Sequence, residues 1–355
     1  MPAVSVDTFF ACSLMVIAVL SAMTGGSKLL YPYINSSSGQ NSAQRYEEIS
    51  RYLLLNTGKP TNWGQNGQEV PETFGLAKSD SDIPYELDMD KVTRLNVENV
   101  YSVSYAELYS SLKLSDVSFR LEIKPIFQVI INLTATFAFT NETTYQFDIL
   151  TEKQGIAVRS KLTCYVIAEN YMNNISADAP MGRASWNVTL SNSVRGPALL
   201  IVLARSIYDS RIVSFSVCAF AHNSEQPKSV GTFLRLSPLN HVLNASFVDS
   251  EVNLSRAYAL TFDYDSALTQ IADNNESALY EIPYFLDPGP TIIVLTGWNH
   301  SEFFTEWVTY PQVPLQIGVD FANTMSLSNV FSYTYEVTIN SAIYECTVLL
   351  GGPKD

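Results

Sequence analysis

The segment "VFSYTYEVTINSAIYECTVLLGG", residues 330–352, constrains this chain more than any other. Taking Asn340-Ser341 as a two-residue turn sets Val337 opposite Tyr344, Tyr335 opposite Cys346, Tyr333 opposite Val348 and Phe331 opposite Leu350. All four pairs are apolar and share one face, because strand side chains alternate with a period of two. A slip of one residue would turn all of them to the opposite face, so the spacing predicts an antiparallel hairpin in a single register. The other face brings Glu336 beside Glu345, a mildly unfavourable pair. Cys346 is expected as a buried thiol.

The same period starts at Val117. Phe119, Leu121 and Ile123 alternate with polar residues, and Phe127, Val129, Ile131 and Leu133 resume the pattern after Pro125. "TYQFDILTEKQGIAVRSKLTCYVIAEN" reads as strand, Gly155 turn, strand, and "ASWNVTLS", "ALLIVLARS" and "RIVSFSVCAFAH" continue the series. A mainly β fold follows, with two antiparallel, immunoglobulin-like β-sandwiches over 117–227 and 228–355. The order of Cys164, Trp186 and Cys218 allows an intersheet disulfide of the immunoglobulin kind. Against it stand the parity of Cys218 with Ser214 and Ser216 and the lack of a tyrosine two residues before Cys218.

Upstream the pattern is different. Residues 4–23, "VSVDTFFACSLMVIAVLSAM", carry one charge, Asp7. A helix of that length spans a hydrocarbon core of about 30 Å, so a transmembrane anchor over 1–30 is expected, with membrane lipid as its partner. Residues 31–116 read as a helical stalk and linker. Tyr46, Ile49, Leu53 and Leu54 recur at helical spacing, Gly58 and Pro60 stop that helix, and "DMDKVTRLN" and "SYAELYSSLKL" give two more short helices. The glycine-rich "NTGKPTNWGQNGQ" is not a phosphate loop, since Lys59 precedes proline and no glycine stands five before Gly58. Trp63 within it either pins the linker to a neighbouring surface or offers a face to a sugar.

The formal net charge of −14, with no Lys/Arg run, excludes a nucleic-acid footprint. Three dispersed histidines and four cysteines without a Cys-x-x-Cys pair leave no metal motif, and no catalytic signature or cofactor motif occurs. Asp88 with Asp90 and Asp263 with Asp265 are the acid pairs to weigh for chemistry or calcium; neither follows a calcium-loop pattern. Nine Asn-x-Ser/Thr sequons occur, at Asn35, Asn132, Asn141, Asn174, Asn187, Asn244, Asn253, Asn275 and Asn299. All lie beyond the apolar run, and strand parity turns Asn132 and Asn187 to solvent. The expected topology is a single pass with the bulk of the chain outside the cell.

The start "AVSVDTFFACSLMVIAVLSAM", the segments "LLLNTGKPTNWG", "FGLAKSD" and "YELDMDKVTRLN", and the closing "EWVTYPQVPLQIGVDF" and "YECTVLLGGP" together resemble archaeal type IV pilin-like surface proteins. The resemblance implies Ala3 as the mature first residue and Asp7 as the acid at the fifth position, which in that family pairs with a neighbouring subunit's N-terminus. Met1-Pro2 stands where that family carries a basic residue and glycine. Homo- or hetero-oligomers through the N-terminal helix would follow, and a non-enzymatic, glycosylated head for adhesion or filament assembly, its extracellular ligand open. The alternative is a monomeric anchored envelope or surface-layer-associated binding protein that does not polymerise.

Overall fold

The structure, a computed structural model, describes residue 15 and residues 42–114, 116–321 and 327–353. Two compact units divide the chain, Met1–Arg51 and Tyr52–Asp355. In the first, described residues 42–51 are helical, with Glu47 and Arg51 paired one turn apart at 2.6 Å. The anchor expected over 1–30, with Ala3, Asp7 and the sequon Asn35, lies outside the described residues apart from Met15, which is helical. Among the described residues no helix is long and apolar enough to cross a membrane.

The second unit is mainly β, and its named strands pair antiparallel throughout. It begins with a packed collar, residues 52–116. Asp88 caps the helix Met89–Thr93 by accepting from the N–H groups of Asp90 and Lys91, and Ser104 and Glu107 form a reciprocal capping box on the helix Tyr105–Leu112. β1 (Ser118–Pro125) then leaves the collar with Phe119, Leu121 and Ile123 buried, the alternation expected.

The first sandwich comprises β2 (Gln128–Ala138), β3 (Glu142–Lys153), β4 (Ile156–Ala157), β5 (Ser160–Ala168), β6 (Tyr171–Ala179), β7 (Arg183–Ser191), β8 (Ala198–Ser206) and β9 (Val213–Phe220). One sheet sets β3 between β2 and β7, with β4 at its end; the other runs β6-β5-β8-β9. Phe147, Ile149, Leu162, Val166, Leu200 and Val202 fill the space between them. The second sandwich comprises β10 (Leu234–Leu239), β11 (Val242–Phe247), β12 (Val252–Leu260), β13 (Asp265–Ala267), β14 (Thr269–Asp273), β15 (Ser277–Glu281), β16 (Thr291–Asn299) and β17 (Glu302–Tyr310). Its sheets run β10-β11-β15-β14 and β13-β12-β16-β17, around Leu234, Leu243, Tyr280, Ile293 and Phe304. Four strands against three, plus one short extra, is the immunoglobulin-type strand order.

The sandwiches are stacked face to face. Tyr165, Ile167, Leu199, Ile201 and Leu203 of the first pack with Leu260, Ile292 and Val294 of the second, so the β5-β8 and β12-β16 sheets are buried on both faces. That is why "ALLIVLA" and "TIIVL" read as unbroken apolar runs, the signature of strands with no solvent side.

After the second sandwich come β18 (Leu315–Gly318), β19 (Leu327–Ile339) and β20 (Ala342–Pro353). The β19–β20 hairpin has the register read from its sequence, with Phe331, Tyr333, Tyr335 and Val337 opposite Leu350, Val348, Cys346 and Tyr344. Its place differs from expectation. The hairpin lies outside the second sandwich, in a sheet ordered β18-β1-β20-β19, where Phe119, Leu121 and Ile123 pair with Leu350, Val348 and Cys346. Both segments carry an apolar face, and the collar covers the β1 part of it: Phe119 lies 6.0 Å from Phe74 and 5.1 Å from Tyr105. Collar residues also extend this sheet past β19, with Leu87 N–H donating to Thr338 O at 2.8 Å and Thr338 N–H to Tyr85 O at 3.0 Å. Both sandwiches are therefore an excursion between two strands of a third sheet. Lys124 sits 2.9 Å from Glu345 and offsets its repulsion from Glu336.

Candidate functional site

In the acid pairs weighed for chemistry, each carboxylate has its own structural partner. Asp88 is the helix cap already described. Asp90 is buried, accepting from the Tyr310 hydroxyl at 2.5 Å and from Asn240 N–H at 2.8 Å, and burial pushes its carboxyl up to about 6. Asp263 pairs with the Arg205 guanidinium at 2.8 Å. Buried Asp287 takes the other arm of that guanidinium and accepts from Asp263 N–H at 2.9 Å, while Arg205 stacks 3.9 Å over Phe262. Asp265 accepts from the Asn174 amide at 3.2 Å. Among the described residues no group of three or more His, Cys, Asp or Glu side chains could hold a metal ion.

Trp63 is fully buried. Its indole N–H donates to Gly75 O at 3.1 Å and Arg94 lies 5.6 Å over its ring, so the face that a sugar would need is inside the collar. His222 is buried as well, with Nδ1 against the Tyr145 hydroxyl at 2.9 Å and Nε2 against Ser191 O at 3.0 Å.

A cavity of about 410 Å³ lies between the linker 223–229 and the β16–β17 hairpin. Lys228 and Glu302 pair across it at 2.7 Å, Arg195 lies 5.6 Å over Trp298, and buried Glu306 forms part of the wall. Glu306 accepts from Phe233 N–H at 2.8 Å and Leu234 N–H at 3.0 Å, and burial nevertheless pushes its carboxyl up to about 7. Its carboxylate is fastened to the backbone rather than presented to a substrate.

The disulfide allowed between Cys164 and Cys218 is absent, and both are free thiols. Cys164 pairs with Val202 and Cys218 with Leu200, so the two lie on β5 and β9 of one sheet with β8 between them. Two strand spacings amount to about 9.5 Å, beyond the reach of an S–S bond. An intersheet bridge needs one cysteine in each sheet, and residue order could not show this.

The sequons separate into two groups. Asn132, Asn141, Asn174, Asn187, Asn253 and Asn275 are exposed, whereas Asn244 and Asn299 are half-buried. The Asn244 amide donates to the Tyr101 hydroxyl at 3.1 Å, under the collar, and that of Asn299 to Asp249 at 2.9 Å. Asn132 and Asn187 lie on the two strands flanking β3, opposite Asp148 and Gln146 on its solvent side. The same outer face carries Phe137, and Phe139 follows at the end of β2; both rings are exposed. The sequence reading passed over these two phenylalanines, although "FTNET" places an aromatic two residues before a sequon asparagine.

No family model matches the chain, and no curated protein matches it. Among solved structures, it has a distant likeness to the crystal structure of chicken CNTN1 FN1-FN3 domains, at 13% identity over 50% of this chain and 66% of that chain, with a TM-score of 0.16. A likeness that slight transfers neither fold nor activity, and the architecture above stands on the strand pairing itself.

Proposed function

We propose that this is a membrane-anchored, glycosylated cell-surface protein, a pilin-like subunit whose extracellular β head serves adhesion or filament assembly without catalysis. The observation that carries the reading is the placement of the sequons. Six of the eight described sequon asparagines stand in solvent, spread over both sandwiches, and beside Asn187 the alternating Trp186 and Val188 pack into the core. A glycan is bulky and polar, so it is tolerated only at such positions. The non-enzymatic part is supported by the carboxylates weighed above: Asp88 is a helix cap, Asp263 is in an ion pair, Asp90 and Glu306 are held by backbone N–H groups, and Asp265 accepts from the Asn174 amide.

The test is mass spectrometry of the protein from a native membrane or filament fraction, reading the N-terminus and the glycopeptides together. A chain starting at Ala3 with occupied sequons supports the pilin-like account. An N-terminus at Met1 or Pro2 with occupied sequons favours the anchored protein that does not polymerise. Sequons bare throughout would sink the surface reading.

A further inference from the structure

We infer that Phe139, with Phe137 beside it, seats the sugar attached to Asn141, so that this glycan is a packed part of the head rather than a free tether. The inference rests on the surface-glycoprotein reading above.

Phe137 and Phe139 are 50% and 58% exposed. A phenyl ring in water forgoes the favourable burial of its apolar surface, and here two rings on one hairpin are each about half exposed. Register fixes which face Phe137 is on. It lies opposite Thr144, whose hydroxyl bonds to that of Thr189 on the next strand at 2.9 Å, and Asn187 shares that outer face of β7. The inner face is already filled, with Tyr145 and Phe147 in the core. What covers these rings must therefore come from the solvent side.

Asn141 is placed to supply it. Phe139 N–H donates to Glu142 O at 2.8 Å, so residues 140–141 close the hairpin and Asn141 stands at its tip. Asn192 fastens that tip. Its side-chain amide donates to Phe139 O at 3.0 Å and Thr140 O at 3.2 Å, its backbone N–H donates to Asn141 O at 2.9 Å, and its Oδ1 accepts from Thr143 at 2.9 Å. The Asn141 amide itself is exposed and engages no other described residue, unlike the amides of Asn174, Asn244 and Asn299. The turn is thus rigid before any sugar arrives, and ordering a ligand against a rigid seat costs less than against a mobile one. A pyranose presents weakly positive C–H bonds on one face, which complement the negative face of an aromatic ring.

The experiment is a four-protein cycle: the native glycoprotein, Phe139→Ser, Asn141→Gln, and both together, each from the native host with Asn141 occupancy read by glycopeptide mapping. Both side chains are exposed, so all four fold. With Asn141 occupied, Phe139→Ser is expected to lower the thermal midpoint by about 2–4 °C, and in the Asn141→Gln background by less than about 1 °C. Equal shifts in the two backgrounds, with Asn141 occupied, overturn the seat and leave the glycoprotein reading intact. An unoccupied Asn141 beside occupied sequons elsewhere overturns it in the same way. If every sequon is bare, both readings fall together.

Discussion

Glu306 is a carboxylate that the fold holds more comfortably with its proton than without it. Burial raises it from an ordinary 4.5 to about 7 even though two backbone N–H groups point at it. The folded state then binds the proton more tightly than the unfolded chain. Its contribution is complete below about pH 4.5 and is lost as pH rises through about 7. The span corresponds to roughly 3 kcal/mol as an upper bound. Asp90, raised to about 6, acts in the same direction. Urea midpoints of the head should therefore be higher at pH 5 than at pH 8, and Glu306→Gln should flatten much of that difference. An unchanged difference between pH 5 and pH 8 in Glu306→Gln would mean that this carboxyl does not carry it.

At the scale of elements, the β19–β20 hairpin was the most legible part of the chain, because four apolar pairs around a two-residue turn leave one register. Its turn residues have φ of 46° for Asn340 and 62° for Ser341, as a type I′ turn requires. Asn340 is also tied by its amide to Gly289 O at 3.0 Å, but Ser341 holds a left-handed conformation that glycine adopts at no steric cost. Ser341→Gly is expected to stabilise the head by about 0.5–1 kcal/mol, measured by chemical denaturation, with the hairpin register unchanged. The same logic was silent on partners. Nothing in β1 or β20 announces that they pair across more than two hundred intervening residues, since an apolar face states only that it needs cover. "ALLIVLA" likewise identified a strand but not its surroundings: with both faces apolar, parity no longer says which side is inside. Asn132 and Asn187 were legible for the opposite reason, as polar residues flanked by apolar ones on their strands.

Over the whole molecule, the two sandwiches depend on each other. Separating them would expose Tyr165, Ile167, Leu199, Ile201 and Leu203 of the first together, and a contiguous apolar patch of that kind drives association. Residues 126–226 expressed alone should self-associate in light scattering, and replacing Leu199 and Ile201 with lysine should return them to monomers. In the full chain, Ile201→Lys should lower stability, because the charge would be buried between the stacked sheets. Monomeric behaviour of the unmodified fragment would show that the stacking is dispensable.

The return of the chain to its starting sheet also has a mechanical meaning. Domains strung end to end hand a pull from one to the next, and each can unravel in turn while the rest stay folded. Here a load applied between residue 52 and a sandwich enters through the collar and the β18-β1-β20-β19 sheet, where an early strand and the last two strands are fastened together. A pull at residue 52 therefore loads the clasp that closes the head together with the collar's contacts to the second sandwich. The tail of the chain, remote in sequence, serves as the latch against being pulled open.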